Sequence, residues 1–242
     1  MDVQNKVFIV TGASSGIGYA TAQLLSEKGA KLALVSRSKE KLELLSKKLN
    51  ESIAVPTDMS KPFEIKHMVS FAETHFGAID ALINCAGQGY DAPIEKTDLA
   101  IFQYIFDLDV VGPIVAMQQV IPIMRRQGGG TIVNISSGTA LMYLSNNGTY
   151  SALKRALASI SLTAREELES DGIVVSVVYP YITLTDFEKN TIKDPSLREE
   201  ESEGTLPFPP DTAEYMALKI LESVESGEAE IFAHDWMKKI AP

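Results

Sequence analysis

The sequence predicts an α/β fold in which a parallel sheet of about seven strands is covered by helices on both faces. Short apolar runs rich in β-branched residues alternate along the chain with longer segments of helical pattern. The apolar runs lack strict polar–apolar alternation, which is typical of strands buried on both faces. With 242 residues, 45% of them hydrophobic and 22% charged, the chain is expected to form one domain over 1–242.

The element order follows from these two patterns. Seven apolar runs are predicted as strands: Val7–Val10, Leu32–Val35, Ile53–Val55, Ala81–Asn84, Thr131–Ile135, Ile173–Tyr179 and Glu230–Ala233. The segments between them are predicted as helices: Gly16–Lys28, Lys39–Leu49, Pro62–His75, Leu99–Arg126, Thr149–Ser170 and Asp211–Ser226. Because strands and helices alternate, βαβ units and a parallel sheet are expected.

One segment does not fit this alternation. Residues 185–210, TDFEKNTIKDPSLREEESEGTLPFPP, are charged and rich in proline near their end. The segment is too long for an ordinary connection and too polar for a core element. Two interpretations remain open, a solvated loop and a lid over a site.

Composition and charge exclude several classes of protein. A formal net charge of −10 argues against nucleic-acid binding, which needs a dense basic surface. The chain shows no signal-peptide pattern and no run of the ~18 apolar residues that a membrane span needs, so a soluble, cytoplasmic protein is expected. The single Cys85 lies at an apolar strand end and is interpreted as a packed thiol. The three histidines are scattered, and no metal site is expected.

A glycine-rich turn follows the first predicted strand. This segment, TGASSGIG at 11–18, leads directly into a helix. Gly12 permits a tight turn, Gly16 lets the backbone approach a diphosphate, and Gly18 allows the helix to pack closely on the sheet. The free N–H groups at the start of the helix attract phosphate. The turn therefore predicts a phosphate cradle, although its G-x-x-x-G-x-G spacing differs from the commoner G-x-G-x-x-G.

The end of the second strand indicates which dinucleotide is bound. An acidic residue there would hold the ribose hydroxyls of NAD, but this chain has Ser36 followed by Arg37. Arginine beside a hydroxyl suits the 2′-phosphate of NADP through charge-assisted hydrogen bonds. The alternative is an exposed surface arginine. NADP(H) is therefore expected in preference to NAD.

Four motifs occur in a fixed order along the chain: TGASSGIG at 11–18, INCAG at 83–87, NISSG at 134–138 and YSALK at 150–154. On these motifs the chain, from Val7 to Ala233, resembles the short-chain dehydrogenase/reductase family. The resemblance implies a one-domain, Rossmann-like doubly wound fold and a nicotinamide cofactor. It also implies oxidation or reduction at an alcohol or carbonyl carbon.

Tyr150 and Lys154 lie four residues apart on a predicted helix and therefore share a face. A hydride arriving at a carbonyl carbon leaves an alkoxide that needs a proton, which Tyr150 can supply. A free phenol has a pKa of about 10, and a cation one helical turn away lowers that pKa, as the oxidised nicotinamide would. Ser137 matches the family's catalytic serine, and its hydroxyl would bind the substrate oxygen.

The resemblance implies further residues that contact the cofactor. Tyr150 and Lys154 are candidates here too, because the family lysine holds the nicotinamide ribose. The other candidates are Ser14, Ser15 and Ile17 in the glycine turn, Asp58 at the adenine, Asn84, Ala86 and Gly87 beside the cofactor, and Thr183 and Thr185 at the carboxamide and phosphates. For Asp58 a role as helix N-cap is an equal alternative.

Three positions depart from the family pattern. The family usually has an asparagine in the long helix, thought to hold a water in a proton relay, and here the position is Asp109. If ionised, this carboxylate would partly cancel the field of Lys154 at Tyr150. Tyr181 replaces the glycine of a Pro-Gly turn and is expected to narrow the substrate entrance. The C-terminus lacks the glycine-rich ending that many members use in tetramer packing. A homodimer or homotetramer is expected, with a monomer still open.

The leading hypothesis is an NADP-dependent oxidoreductase that transfers a hydride between the nicotinamide and a carbonyl or secondary alcohol. The pocket is expected to be lined by the segment 185–210 and by Leu141, Met142, Tyr143 and Leu144. This apolar lining favours a hydrophobic substrate. One alternative is a cofactor-binding regulatory protein that has lost turnover, favoured by Asp109. A sugar-nucleotide epimerase or dehydratase is the lesser alternative, because the chain is short.

Overall fold

The computed structural model describes residues 1–197 and 208–240. The strands of its central sheet are β1 Val7–Thr11, β2 Lys31–Ser36, β3 Ser52–Pro56, β4 Ala81–Asn84, β5 Gly130–Ile135, β6 Ile173–Tyr179 and β7 Glu230–Phe232. The helices are α1 Gly16–Glu27, α2 Lys39–Ser46, α3 Pro62–Phe76, α4 Leu99–Phe106, α5 Gly112–Gln127, α6 Gly148–Leu168, α7 Phe187–Asn190 and α8 Ala213–Ser226. Each of the seven predicted strands is present, with ends shifted by a residue or so.

The sheet is parallel throughout, with the strand order β3-β2-β1-β4-β5-β6-β7. Growth of the sheet changes direction between β1 and β4, which are neighbours. In a doubly wound sheet the carboxyl ends of the strands form a crevice at this switch point. The fold prediction is therefore confirmed, and the crevice gives the place at which a ligand is expected.

Two apolar layers cover the sheet. On one face α1, α2 and α8 pack through residues such as Leu25, Leu42 and Ile220. On the other face α3 and α5 contribute residues such as Met68 and Val120 to the second cluster. Burial of apolar side chains on both faces explains why the strands read as continuous hydrophobic runs.

The helix predicted over Leu99–Arg126 is interrupted. A π-helical turn, Asp107–Val111, separates α4 from α5. Such turns insert one extra residue into a helix and occur frequently at functional sites. This turn carries Asp109, whose side chain is fully buried.

The same stretch, Leu99–Gln127, is long and apolar enough to cross a membrane, with a mean hydropathy of 1.6 in its most apolar 18-residue window. The stretch is not a continuous run of ~18 apolar residues, because Asp107 and Asp109 interrupt it. Of that window, 44% is buried inside the protein, and core helices of soluble proteins meet the same criteria. The stretch is accordingly weak evidence for a membrane span.

The described part of the segment 185–210 is structured. Its residues 186–194, here called the covering segment, contain α7 and two residues that form a short parallel ladder, Ile192–Lys193 with Tyr90–Asp91. The covering segment is thus attached to the chain that follows β4. The remainder of the predicted lid, residues 198–207, lies outside the described residues.

Candidate active site at the carboxyl edge of the sheet

The glycine turn (residues 11–18) connects β1 to α1 at the crevice. Gly12 and Gly16 have φ angles of 71° and 55°, in the left-handed region that favours glycine. Gly18 packs so closely that an added Cβ would lie 2.5 Å from the carbonyl oxygen of Gly12. In the described chain no side chain caps α1 at Ser15, and its first turn holds no acidic residue. The first N–H groups of α1 are therefore available to receive an anion.

Thr11, the last residue of β1, fixes the end of the neighbouring strand. Its Oγ1 accepts the backbone N–H groups of Cys85 and Ala86, both at 3.0 Å, and donates to the carbonyl of Ile83 at 3.4 Å. A Cβ on Gly12 would lie 3.0 Å from the Ala86 nitrogen. Thr11 thus holds the predicted cofactor-flanking segment against the glycine turn. The sequence analysis missed this role, although Thr11 begins the TGASSGIG motif.

Ser36 and Arg37 lie at the carboxyl end of β2, next to the crevice. Ser36 is buried, and its Oγ accepts the N–H of Ser38 at 3.1 Å. Arg37 is exposed and donates from Nη1 to the hydroxyl of Tyr104 on α4 at 2.8 Å. Tyr104 therefore orients the guanidinium, a contact that no sequence pattern indicated.

Asp58 follows β3 at the same edge of the sheet. Its Oδ1 accepts the N–H and the hydroxyl of Ser60 at 3.0 and 2.7 Å. Burial raises the pKa of Asp58, but the hydrogen bonds with Ser60 and the charges of Lys61 and Arg37 outweigh burial and lower it. Helix α3 has Lys61 as its N-cap residue. The alternative interpretation of Asp58 as a helix N-cap is therefore wrong.

A buried polar chain links the sheet to α6. The Nδ2 of Asn84 donates to Oδ1 of Asn134 at 2.8 Å, and the Nδ2 of Asn134 donates to the hydroxyl of Ser161 at 2.8 Å. All three residues are buried. Buried polar groups must find partners, so this chain specifies how α6 lies on β4 and β5. Asn84 was predicted beside the cofactor; Asn134 and Ser161 were missed.

Helix α6 also docks on the end of β5 through Lys154. The hydroxyl of Ser136 donates to the carbonyl of Lys154 at 2.9 Å, and the Lys154 Nζ donates to the carbonyl of Ile135 at 3.1 Å. Lys154 is 4% exposed, so its ammonium depends on these partners. The contacts place Lys154 directly beneath the strand end that leads to Ser137.

Tyr150, Lys154 and Ser137 meet at this edge, as predicted. The ammonium nitrogen of Lys154 lies 5.7 Å from the centre of the Tyr150 ring. Burial raises the pKa of Tyr150 to about 12, with the charges of Asp109 and Asp91 acting in the same direction. Lys154 and a hydrogen bond with Ser137 act to lower that pKa and offset burial only in part. The phenol therefore holds its proton strongly in the protein alone.

Asp109 forms an ion pair with Lys154. Its Oδ2 lies 3.0 Å from the Lys154 Nζ, and its Oδ1 accepts the backbone N–H of Gln88 at 3.1 Å. Burial raises the pKa of Asp109, against the influence of Lys154. Burial lowers the pKa of Lys154, but Asp109 and Tyr150 outweigh burial and raise it. A Cβ on Gly87 would lie 3.1 Å from Asp109 Oδ2, so glycine allows the chain to pass this pair.

The covering segment and the residues before it border the site. The ring of Phe187 lies 6.0 Å from the ring of Tyr150, centre to centre. Thr185 contacts the glycine turn, since a Cβ on Gly16 would lie 3.2 Å from its methyl group. Thr183 instead donates to the carbonyl of Tyr181 at 2.8 Å. Of the two predicted threonines, Thr185 is the one that these contacts place against the glycine turn.

A cavity of about 520 Å³ opens between α1 and the covering segment. Its lining includes Gly16, Tyr19, Thr185 and Lys189. The cavity therefore lies beside the glycine turn. Tyr150 does not line it, which separates this space from the chemistry around Lys154.

Residues 6–196 match the family model of short chain dehydrogenases. The chain belongs to the short-chain dehydrogenase family. An uncharacterised oxidoreductase of Staphylococcus aureus strain MW2 is 34% identical over 178 residues, which are 73% of this chain and 77% of the relative. A similar protein of Staphylococcus epidermidis strain RP62A is 32% identical over 78% of this chain and 83% of its own.

Solved structures of other proteins share the fold. A short-chain dehydrogenase/reductase from Burkholderia phymatum, in complex with NAD, has a TM-score of 0.87 at 24% identity and covers 99% of this chain and 92% of its own. L-sorbose reductase from Gluconobacter frateurii, complexed with NADPH and L-sorbose, has a TM-score of 0.84 at 25% identity, covering 96% and 97%. As a short-chain dehydrogenase, the protein is an oxidoreductase that acts at an alcohol or carbonyl carbon.

In this short-chain dehydrogenase Tyr181 packs into an aromatic cluster, and its expected effect on the substrate entrance stays a prediction. Its ring packs edge-on against His234 and Trp236, at 5.7 and 5.6 Å between centres. Its hydroxyl reaches the carbonyl of Phe208 at 3.4 Å. The side chain is thus taken up by an aromatic cluster with the C-terminal segment, because that segment offers a large apolar surface next to the turn.

The predicted pocket lining is also corrected in part. Leu141 is 8% exposed and belongs to the core, and Met142 packs against the same core cluster. Tyr143 and Leu144 are 91% and 42% exposed. Of the four predicted lining residues of the short-chain dehydrogenase site, Tyr143 and Leu144 are therefore the two that are largely exposed to solvent.

Cys85 is half-buried and packs against the core. Burial raises the pKa of its thiol to about 12, although the charge of Lys154 acts to lower it. A thiol with this pKa is protonated at neutral pH and a poor nucleophile, in agreement with the predicted packed role. Within 1–197 and 208–240, no group of three His, Cys, Asp or Glu side chains of this short-chain dehydrogenase is arranged to hold a metal.

Proposed function

We propose that the protein is an NADP-dependent oxidoreductase that transfers a hydride between the nicotinamide and a hydrophobic carbonyl or secondary alcohol. The observation that carries the proposal is the meeting of Tyr150, Lys154 and Ser137 at the carboxyl edge of the sheet, where α6 docks on the end of β5. An uncapped helix start lies at the same edge. A proton donor and an anion cradle at one edge fit a dinucleotide-dependent reduction.

The residues of the cradle fit a dinucleotide. Gly12, Gly16 and Gly18 leave no side chain where the diphosphate would approach, and Gly18 has no room for one. The remaining candidates to hold the dinucleotide are Ser14, Ser15, Ile17, Asp58, Asn84, Ala86, Gly87, Tyr150, Lys154, Thr183 and Thr185. When bound, the nicotinamide supplies or accepts the hydride.

The choice of NADP rests on the end of β2. Arg37 is an exposed cation held by Tyr104 beside the buried Ser36. A fixed guanidinium with free donors binds a phosphate ester tightly. The structural neighbours are complexed with NAD, NADH or NADPH, so they support a nicotinamide dinucleotide without selecting one.

Tyr150 is the proton donor in this proposal. Because burial raises its pKa to about 12, the phenol is protonated at neutral pH and ready to donate to a developing alkoxide. Ser137 would stabilise the charge on the substrate oxygen by a hydrogen bond. The reverse oxidation needs the phenolate and is therefore favoured at higher pH. The charge of Lys154 favours the phenolate by lowering the pKa of Tyr150. Asp109 in turn raises the pKa of Lys154 and so favours its charged form.

The exposed apolar groups near Tyr150 support a hydrophobic substrate. Phe187 packs against its ring, while Tyr143 and Leu144 are exposed just before α6. Apolar walls with a few polar groups are typical of small-molecule sites. As further parts of the proposal, the chain is a single domain that assembles into a homodimer or homotetramer in the cytoplasm, with neither a nucleic-acid partner nor a membrane span.

A panel of ketones and aldehydes, followed by NADPH absorbance, tests the proposal. The variant Tyr150→Phe is expected to reduce turnover by roughly 10²–10⁴-fold, because general acid catalysis contributes that much, while NADPH binding persists. Tyr215→Phe is the control, since it also removes a phenolic hydroxyl, one that bonds to the carbonyl of Ala233 from α8, and it should retain full activity. Undiminished turnover in Tyr150→Phe would remove Tyr150 from this role.

A cofactor-binding regulatory protein is the second candidate. The buried Asp109–Lys154 ion pair favours it, because a carboxylate beside Lys154 opposes acidification of Tyr150. This candidate predicts firm NADPH binding with no turnover on any member of the panel. Turnover that depends on Tyr150 would exclude it.

A further inference from the structure

The covering segment (residues 186–194) lies across one side of the candidate site. The backbone N–H of Ile192 donates to the carbonyl of Gly89 at 3.0 Å, and that of Asp194 donates to the carbonyl of Asp91 at 2.8 Å. The ring of Phe187 at the start of the segment rests on Tyr150. The segment thus covers Tyr150 by pairing with the chain that leaves β4.

Gln88 makes hydrogen bonds in two directions. Its backbone N–H donates to Oδ1 of Asp109. Its side-chain Nε2 donates to the carbonyl of Asn190, at the end of α7, and to the carbonyl of Gly89 at 3.3 Å. The residue therefore joins the buried ion pair on one side to the covering segment on the other.

The neighbours of Gln88 leave its backbone little freedom. A Cβ on Gly87 would lie 3.2 Å from the Lys154 Nζ, and a Cβ on Gly89 would collide with the hydroxyl of Thr191. Both sides of Gln88 are therefore in close contact, one with the ion pair and one with the covering segment. Tightly packed groups have few alternative arrangements. The position of Gln88 is therefore coupled to that of the ion pair and to that of the covering segment.

We propose that Gln88 is a positioning residue whose side-chain amide holds the covering segment closed over Tyr150, from a backbone fixed by Asp109. The closed segment keeps Phe187 against the phenol and excludes water from that side, as site-closing loops do in other enzymes. The consequence for catalysis rests on the proposed function. The clamp itself is a property of the protein alone and can be measured without substrate.

Hydrogen exchange of the full-length protein tests the clamp through the amides of Ile192 and Asp194. The variant Gln88→Met keeps the side-chain length and the backbone N–H but removes the amide donor. Exchange at both amides is expected to become about fivefold faster, as for the loss of one hydrogen bond of typical net strength. The control is Gln103→Met, which removes only a surface hydrogen bond to Asp107.

A second variant distinguishes the role of the Gln88 amide from that of the strand pairing between the covering segment and Tyr90–Asp91. Gly89→Ala should open the segment by steric collision and speed the same exchange while leaving the Gln88 side chain intact. Faster exchange in Gly89→Ala with wild-type rates in Gln88→Met would overturn the assignment to Gln88. Equal acceleration in Gln88→Met and Gln103→Met would overturn it as well.

Kinetics supply a readout that a purely structural role would not move. In Gln88→Met, the KM for a carbonyl substrate should rise severalfold. We expect kcat and its pH profile to stay unchanged, because the hydrogen bond from the backbone N–H of residue 88 to Asp109 remains. A lowered kcat with constant KM would contradict the proposal. If wild type reduces no carbonyl while exchange still responds to Gln88→Met, the clamp stands and the proposed function fails.

Discussion

At the scale of residues, a buried carboxylate opposes Lys154 in the electrostatics of the site. Asp109 is fully buried with its Oδ2 3.0 Å from the Lys154 Nζ. Desolvation of two buried charges offsets much of their attraction, so the pair is weak evidence for stability. Its clearer effect is on Tyr150, where the negative charge helps to raise the pKa of the phenol.

We predict that Asp109→Asn retains or increases turnover and lowers the pH optimum. Removal of the carboxylate leaves Asp91 as the charge that opposes Lys154, so the pKa of Tyr150 falls and the phenolate forms at lower pH. The Lys154 ammonium keeps its hydrogen bond to the carbonyl of Ile135. The measurement is the pH profile of kcat and kcat/KM. Asp107→Asn serves as control, because Asp107 pairs with Gln103 at the surface. A large loss of activity in Asp109→Asn would show that the carboxylate is required.

Arg37 carries the predicted preference between dinucleotides. In Arg37→Ala we expect Kd for NADPH to rise roughly 10–100-fold, because hydrogen bonds to charged groups contribute about 1.5–3 kcal/mol. Kd for NADH should change little. Fluorescence titration with both dinucleotides measures the ratio, with Lys39→Ala as a control for charge alone, since Lys39 is exposed on α2. Equal weakening of both dinucleotides would refute the preference.

At the scale of elements, the site depends on how strand ends are tied together. Thr11 joins β1 to the segment after β4, and the Asn84–Asn134–Ser161 chain joins the sheet to α6. These contacts are made by buried hydroxyls and amides rather than by charges. They fix the distance between the glycine turn and the helix that carries Tyr150.

The variant Thr11→Val should destabilise the protein by about 1–3 kcal/mol, since it leaves two part-buried N–H groups without their acceptor. Denaturant unfolding measures this free energy, and dinucleotide binding should weaken with it. The matched control is Thr21→Val, whose hydroxyl bonds only to the carbonyl of Ile17 within α1. Similar small losses in both variants would mean that Thr11 does not hold the strand ends together.

The helical pattern of the sequence predicted where helices occur, but it did not predict the irregular turn within one of them. The apolar run over 99–126 predicted one helix, but its centre is the π-helical turn that carries Asp109. Sequence periodicity does not resolve one inserted residue, because the apolar face continues through it. Likewise, nothing in the motif INCAG indicated that Gln88, the residue after it, would reach the covering segment.

At the scale of the whole molecule, strand order brings distant motifs to one edge. The glycine turn, the segment after β4 and the end of β5 are separated along the chain, yet β1, β4 and β5 are neighbours in the sheet. Parallel strands present their carboxyl ends together, so each motif contributes to the same crevice. The expected homodimer or homotetramer stays a prediction at this scale.

The sequence by itself determined the α/β class, the seven strands and the positions of Tyr150, Lys154 and Ser137, because periodicity and motif spacing are local properties of the chain. Only the tertiary structure decided which groups surround them. The ion pair of Asp109 with Lys154, the aromatic packing of Tyr181 and the pairing of the covering segment with the chain after β4 join residues far apart in sequence. Such contacts follow from packing and burial, which no local pattern encodes.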